Sequence, residues 1–119
     1  MRVLVTSHKG YIGTIMVPML QAEGFDVTGL DNDLFDGCVF GDKSVCGGIP
    51  DVPYVGKDIR DVEPCDLRGK DAVIHLAALS NDPLGNINPD MTYEINHEGS
   101  VRLDKKEYII IYGYYHFAQ

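Results

Sequence analysis

No apolar run in this 119-residue chain approaches the roughly 18 residues that a membrane-spanning helix requires. Met1-Arg2 leads straight into a strand-like segment without a small-residue cleavage site, so no secretory signal is expected, and the cytoplasm is the expected location. Basic residues are scarce: 10 Lys plus Arg stand against 18 Asp plus Glu, a net charge of −8. With no basic block either, a nucleic-acid backbone is not an expected partner, and the acidic excess speaks mainly for solubility. Cysteines are few and unpaired in pattern. Cys38, Cys46 and Cys65 form no C-x-x-C motif and the histidines do not cluster with them, which reads as reduced thiols in loops or packing and gives no support for a metal site. The length fits one domain with a real core.

Within that frame, apolar runs alternate with helical periodicity. Residues 2–6 read as a strand covered on both faces. Behind it, Ile12, Ile15, Met16, Met19 and Leu20 fall at helical spacing and are expected to form one apolar face. Pro18 removes a hydrogen bond to Thr14 and should bend that helix, and Gly24 should stop it. Residues 25–31 form a second strand ending in Asp31. Residues 32–53, rich in Gly, Asp and Pro, read as a long irregular connection. A weaker strand spans 54–58, a short helical turn 62–67, and a second strongly buried strand 71–78, in which His75 reads as a core or sheet-end histidine. After a polar loop, Asn88 caps a helix with Pro89 in its first turn, running to about residue 104 although Gly99 weakens it. Residues 108–112 form a last β-branched and aromatic strand.

Strands alternating with helices imply right-handed crossovers and a Rossmann-like α/β fold, a doubly wound parallel sheet of five strands in the order 3-2-1-4-5. In that geometry the first helix aims unpaired N–H groups and its positive dipole end at a phosphate. The turn Ser7-His8-Lys9-Gly10-Tyr11-Ile12-Gly13 supplies two glycines: Gly10 lets the backbone approach a ligand, and Gly13 lets the helix pack against the strand. Ser7 stands where a glycine would ease the turn, so its φ must stay negative or strain must be accepted. Asp31 follows Gly13 by 18 residues, the interval that brings a carboxylate to a cofactor's ribose hydroxyls. A carboxylate there accepts two hydroxyl hydrogen bonds and repels a 2′-phosphate, favouring NAD over NADP.

The turn, Asp31, Asp58-Ile59-Arg60-Asp61, His75-Leu76-Ala77-Ala78 and Tyr93-Glu94-Ile95-Asn96, in this order, resemble the extended short-chain dehydrogenase/reductases, and more narrowly the NAD-dependent nucleotide-sugar epimerase/dehydratase family that includes UDP-glucose 4-epimerase. The resemblance covers residues 1–103, the first third of a typical member, with 104–119 a divergent tail. It implies a dinucleotide partner, with a nucleotide-sugar as a second candidate. By the same resemblance Tyr11 and Ile12 would bind the pyrophosphate through backbone amides, and Asp31 with Asn32 the adenosine ribose. Asp58 and Ile59 would meet the adenine, Leu76, Ala77 and Ala78 the nicotinamide-side ribose, and Asn96 would orient its helix and a water. Ser7 replaces the family's glycine. Members oxidise a sugar hydroxyl with a tyrosine whose pKa is lowered by a lysine four residues on; none of the seven tyrosines here is followed by such a lysine. The expectation is therefore a truncated cofactor-binding domain without the family's catalysis or its substrate domain. Two alternatives stand beside it. One is a small enzyme using strand-end groups (His8, Ser80, Asn81, Asp82 or a tail tyrosine) with another adenosine-containing ligand such as S-adenosylmethionine. The other is a module that self-associates into a homo-oligomer through its apolar C-terminal strand.

Overall fold

A computed structural model of the chain describes residues 1–33, 51–77, 88–104 and 109–112. Strand β1 (Arg2–Thr6) is buried at every position after Arg2, as a strand with elements on both faces must be. It pairs in parallel with β2 (Asp26–Asp31) on one side and with β4 (Ala72–His75) on the other, setting Thr6 beside Leu30 and beside His75. Strand β3 (Tyr54–Gly56) extends the sheet beyond β2, and β5 (Ile109–Tyr112) pairs with β4, giving the order β3-β2-β1-β4-β5. The order reverses at β1, which opens a crevice at the carboxyl ends of β1 and β4.

The alternation of side chains along the strands builds two cores. Leu4, Leu30 and Val73 project to one face and pack with Ile59, Val62, Leu67, Ile95 and Leu103. Val3, Val5, Val27, Ala72 and Ile74 project to the other and pack with Val17 and Val52. The expected irregular connection falls largely on residues 34–50, outside the described residues, as do 78–87, 105–108 and 113–119.

Helix α1 (Gly13–Ala22) runs through Pro18 and buries a different face from the one its apolar spacing suggests. Gly13, Thr14 and Val17 are the buried residues, whereas Ile15 is 48% and Met19 64% exposed. Only Met16 and Leu20 of the expected stripe pack against the core, from its margin. The reason is distance. A Cβ on Gly13 would lie within 2.6 Å of backbone atoms of Ser7 and His8, so the helix sits closer to the turn than a stripe of Ile and Met would permit. The small residues face the sheet instead. The helix ends in a Schellman turn: Gly24, at φ +88°, donates to Gln21 O, and Phe25 N to Leu20 O at 3.1 Å.

Beyond β3, a 3₁₀ turn (Ile59–Asp61) and helix α2 (Pro64–Leu67) lead to β4. Asn88 caps α3 (Pro89–Tyr93), its side chain accepting from Met91 N. The helix continues through a π turn (Glu94–Glu98) into α4 (Gly99–Asp104). Gly99 sits where α4 crosses the 3₁₀ turn, and a Cβ there would come within 3.0 Å of Ile59 Cγ2.

A second close approach joins the first turn to β2. His8, 1% exposed, lies over Gly29, and a Cβ on Gly29 would meet its ring at 2.4 Å. Gly29→Ala should therefore lower unfolding stability by about 1–3 kcal/mol, the usual cost of overpacking. In a His8→Ala background the same change should cost much less. Urea denaturation of the four proteins measures this, and equal losses in both backgrounds would refute the contact.

Candidate functional site

The sequence of β1 ends at the crevice with Thr6, and the turn that follows brings the expected residues together. Ser7 adopts φ +56°, so the strain that a serine must accept in place of glycine is present, and its N–H is satisfied by Leu30 O at 2.7 Å. Gly10 N bonds back to Ser7 O at 3.0 Å, and a Cβ on Gly10 would come within 2.8 Å of Ser7 Oγ. Tyr11 is 76% exposed, with Ile12 half-buried beside it. The turn thus closes tightly on itself at both glycines and leads into the positive end of α1.

Asp31 lies beside this turn. Lys9 N donates to its Oδ2 at 3.2 Å, and Asp33 N to its Oδ1 at 3.0 Å. Each carboxylate oxygen retains a second acceptor direction, so Asp31 can still take a pair of hydroxyls. Lys9 Nζ bonds Asp33 Oδ1 and lies 4.0 Å from the centre of the Tyr54 ring. The Asp33 hydrogen bond, more than any other influence, holds the Lys9 ammonium above its ordinary pKa. His8 lies beneath, its ring 5.1 Å from that of Tyr54, with Nδ1 buried and unpartnered. Burial pushes its pKa down.

Asn32 and Asp58 also meet, with Asn32 Nδ2 donating to Asp58 Oδ2 at 3.4 Å. Asp58 caps the 3₁₀ turn and takes a forked pair of hydrogen bonds from Arg60, both 2.9 Å, which hold its carboxyl below the usual range. Arg60 reaches on to Glu94 at 3.1 Å. The Ile59 side chain lies in the core, 4% exposed, so its backbone is what it can offer a ligand.

On the other side of the crevice the hydrogen bonds have a fixed direction. Thr6 Oγ1 accepts from Leu76 N at 2.9 Å and Ala77 N at 3.0 Å. Both lone pairs are used, so the Thr6 hydroxyl must donate to His75 Nδ1, 2.9 Å away. His75 is then the Nε2–H tautomer, donating to Ser100 Oγ at 2.9 Å, and Ser100 donates to Asn96 O in the π turn at 2.7 Å. Leu76, Ala77 and Asn96 are thereby tied to one chain of hydrogen bonds. Ala78, Ser80, Asn81 and Asp82 lie outside the described residues. Sequence reasoning named neither Thr6 nor Ser100 for a role, nor Lys9 and Asp33. Thr6 could have been singled out as the polar residue ending an otherwise apolar strand.

Among the described residues, Glu63, Cys65 and Asp66 bring potential ligand atoms within 4.8 Å of one another. The two carboxylates are engaged there in a reciprocal helix cap and in ion pairs with Lys57. No described helix is long and apolar enough to cross a membrane.

A parallel sheet with this order, a glycine-lined turn at a helix N-terminus and a carboxylate ending β2 defines the dinucleotide-binding class of α/β folds. Residues 3–105 match the NAD dependent epimerase/dehydratase family, and the chain belongs to that family. Among solved structures it is similar to the UDP-glucose 4-epimerase of Thermus thermophilus in complex with NAD, at 31% identity and a TM-score of 0.69, covering 88% of this chain and 33% of that one. It is also similar to the UDP-glucose-4-epimerase of Stenotrophomonas maltophila, solved with NAD and formylated UDP-arabinopyranose (31% identity, TM-score 0.70, 88% of this chain and 32% of the other). A third is the UDP-N-acetylglucosamine 4-epimerase of Methanobrevibacter ruminantium M1 in complex with UDP-N-acetylmuramic acid (27%, TM-score 0.68, 87% and 33%). The chain spans about a third of the length of these proteins.

His75 supplies a pH test of the Thr6 network. Burial pushes its pKa down from 6.5 to about 4, and protonated Nδ1 would face an oxygen with no acceptor left. Its neutral form thus contributes stability that is fully present above the unfolded value and is lost as pH falls from about 6.5 toward 4. Unfolding free energy should drop by about 2–3 kcal/mol more over that interval than in His75→Gln. Urea midpoints at pH 7 and pH 4.5 measure this; identical pH dependence in both proteins would refute it.

Proposed function

We propose that these residues form the NAD-binding part of a nucleotide-sugar epimerase/dehydratase, and that they bind the cofactor without performing the sugar oxidation. The observation that carries the reading is the tight Gly10–Gly13 turn at the start of α1, with Asp31 hydrogen-bonded to it through Lys9 N. A Cβ at either glycine would strike the Ser7 side chain or the turn backbone, so the glycines let the turn close and α1 pack against it, which sets the first amides of the helix at the strand ends. The backbone amides of Tyr11 and Ile12 would hold the pyrophosphate, and Asp31 with Asn32 the adenosine ribose. Asp58 and the Ile59 backbone would face the adenine, and Leu76, Ala77 and Ala78 the other ribose. Through the π turn, Asn96 would position its helix. NAD, when bound, supplies reversible hydride acceptance. The two ribose hydroxyls match a carboxylate with two open acceptor directions, which is why NAD is preferred to NADP.

This sequence contains no Tyr-x-x-x-Lys pair, so proton abstraction from a sugar hydroxyl is not assigned to these residues. Calorimetric titration tests the reading. NAD should bind, and Asp31→Ala should weaken it by on the order of tenfold or more, the worth of hydrogen bonds to a charged acceptor. Absence of NAD binding by the unaltered chain, or equal affinity in both proteins, would overturn it.

A further inference from the structure

We propose that Lys9 and Asp33 form a latch that sets the selectivity of the ribose site, with Asp33 withholding from an anionic 2′ substituent a cation that already stands beside it. The inference rests on the reading of Asp31 as the ribose carboxylate.

Three residues close a ring. Lys9 N and Asp33 N each donate to one oxygen of Asp31, and Lys9 Nζ returns to Asp33 Oδ1. Whatever binds Asp31 is therefore flanked by Lys9 on one side and Asp33 on the other. The Lys9 side chain is 14% exposed and that of Asp33 34%, which makes the pair partly desolvated and stronger than a surface ion pair. The ammonium is held from a further direction, over the Tyr54 ring, and the Tyr54 hydroxyl donates to Asp33 Oδ2 at 3.4 Å. Asp33 adopts φ +58°, a conformation aspartate and asparagine tolerate better than most residues, through which it aims its amide at Asp31.

The charges explain the effect. With Asp33 ionised, the ring of Lys9, Asp31 and Asp33 carries one net negative charge, and a phosphate monoester of about −1.5 to −2 is repelled. Two neutral hydroxyls are not. Without the Asp33 charge the ring is neutral and its ammonium can turn to a phosphate, the charge-assisted partner it would otherwise prefer. Asp31 alone disfavours a 2′-phosphate. Asp33 does so twice, by its own charge and by occupying Lys9.

The test uses NAD and NADP as probes, titrated by calorimetry into the unaltered chain, Asp33→Asn, Asp33→Gly and the double variant Asp33→Asn with Lys9→Met. Asparagine and glycine both keep the positive φ, and far-UV circular dichroism verifies folding. Asp33→Asn and Asp33→Gly should each tighten NADP by on the order of tenfold, the worth of one charge-assisted hydrogen bond, while changing NAD by less than about threefold. Lys9→Met should abolish that gain. An unchanged NADP-to-NAD ratio in both single variants overturns the latch while leaving NAD binding standing, as does a gain that survives Lys9→Met. Failure of the unaltered chain and every variant to bind either nucleotide overturns the proposed function, and the latch with it.

Discussion

The distance between α1 and the turn that precedes it governs the rest of the structure. That distance is possible only because Gly13 has no Cβ, since one would penetrate the backbone of Ser7 and His8. Bringing the helix so close selects Gly13, Thr14 and Val17 as its buried face and leaves Ile15 and Met19 in solvent. It also sets the helix's unpaired N–H groups against the carboxyl end of β1, where the sheet order reverses. Packing and the placement of those N–H groups thus follow from one contact. The strained Ser7 at φ +56° is the local cost, offset by the hydrogen bond from its amide to Leu30.

The other half of the crevice is organised by hydroxyls. Thr6 accepts the two amides that follow β4 and orients His75, which orients Ser100, which binds the carbonyl of Asn96. Each link has one allowed direction, so the network resists reorientation without any buried charge. It joins the end of β1, the end of β4 and a π turn, a helical irregularity found often at functional sites. Leu76, Ala77 and the helix carrying Asn96 are therefore tied into one network. Such coupling suits a site whose ligand would touch both.

Much of the fold was legible because parallel strands buried on both faces announce themselves as short β-branched runs. Val3, Leu4 and Val5, and again Ala72, Val73 and Ile74, admit few other readings. The cap at Asn88 and the stop at Gly24 follow from local chemistry alone. The buried face of α1 was not legible, because periodicity ranks residues by hydrophobicity while close packing ranks them by size. The turn glycines and Asp31 could be placed by spacing. Lys9 and Asp33 could not, since a lysine in a turn and an aspartate after a strand are ordinarily solvated, and only the left-handed backbone at Asp33 brings them together. His75 was recognisable as a core residue from its apolar strand, but its tautomer depends on Thr6 and Ser100, residues 69 and 25 positions away.

The acidic composition poses a physical question that the site itself answers. A chain with net charge −8 would be expected to repel a dinucleotide, whose pyrophosphate is anionic. Yet the carboxylates around the crevice are compensated one by one. Asp31 receives two backbone amides, Asp33 the Lys9 ammonium, and Asp58 the Arg60 guanidinium together with the Asn32 amide. The field at the crevice is set by these short-range pairs and by the end of α1, because the remaining surface charges are screened over about a Debye length. Net charge describes how the chain behaves in solution, whereas the field at the strand ends depends on which carboxylates still have an open lone pair. By that measure Asp31 differs from its neighbours: its hydrogen bonds come from two neutral amides, whereas Asp33 and Asp58 each have a cationic partner, Lys9 and Arg60.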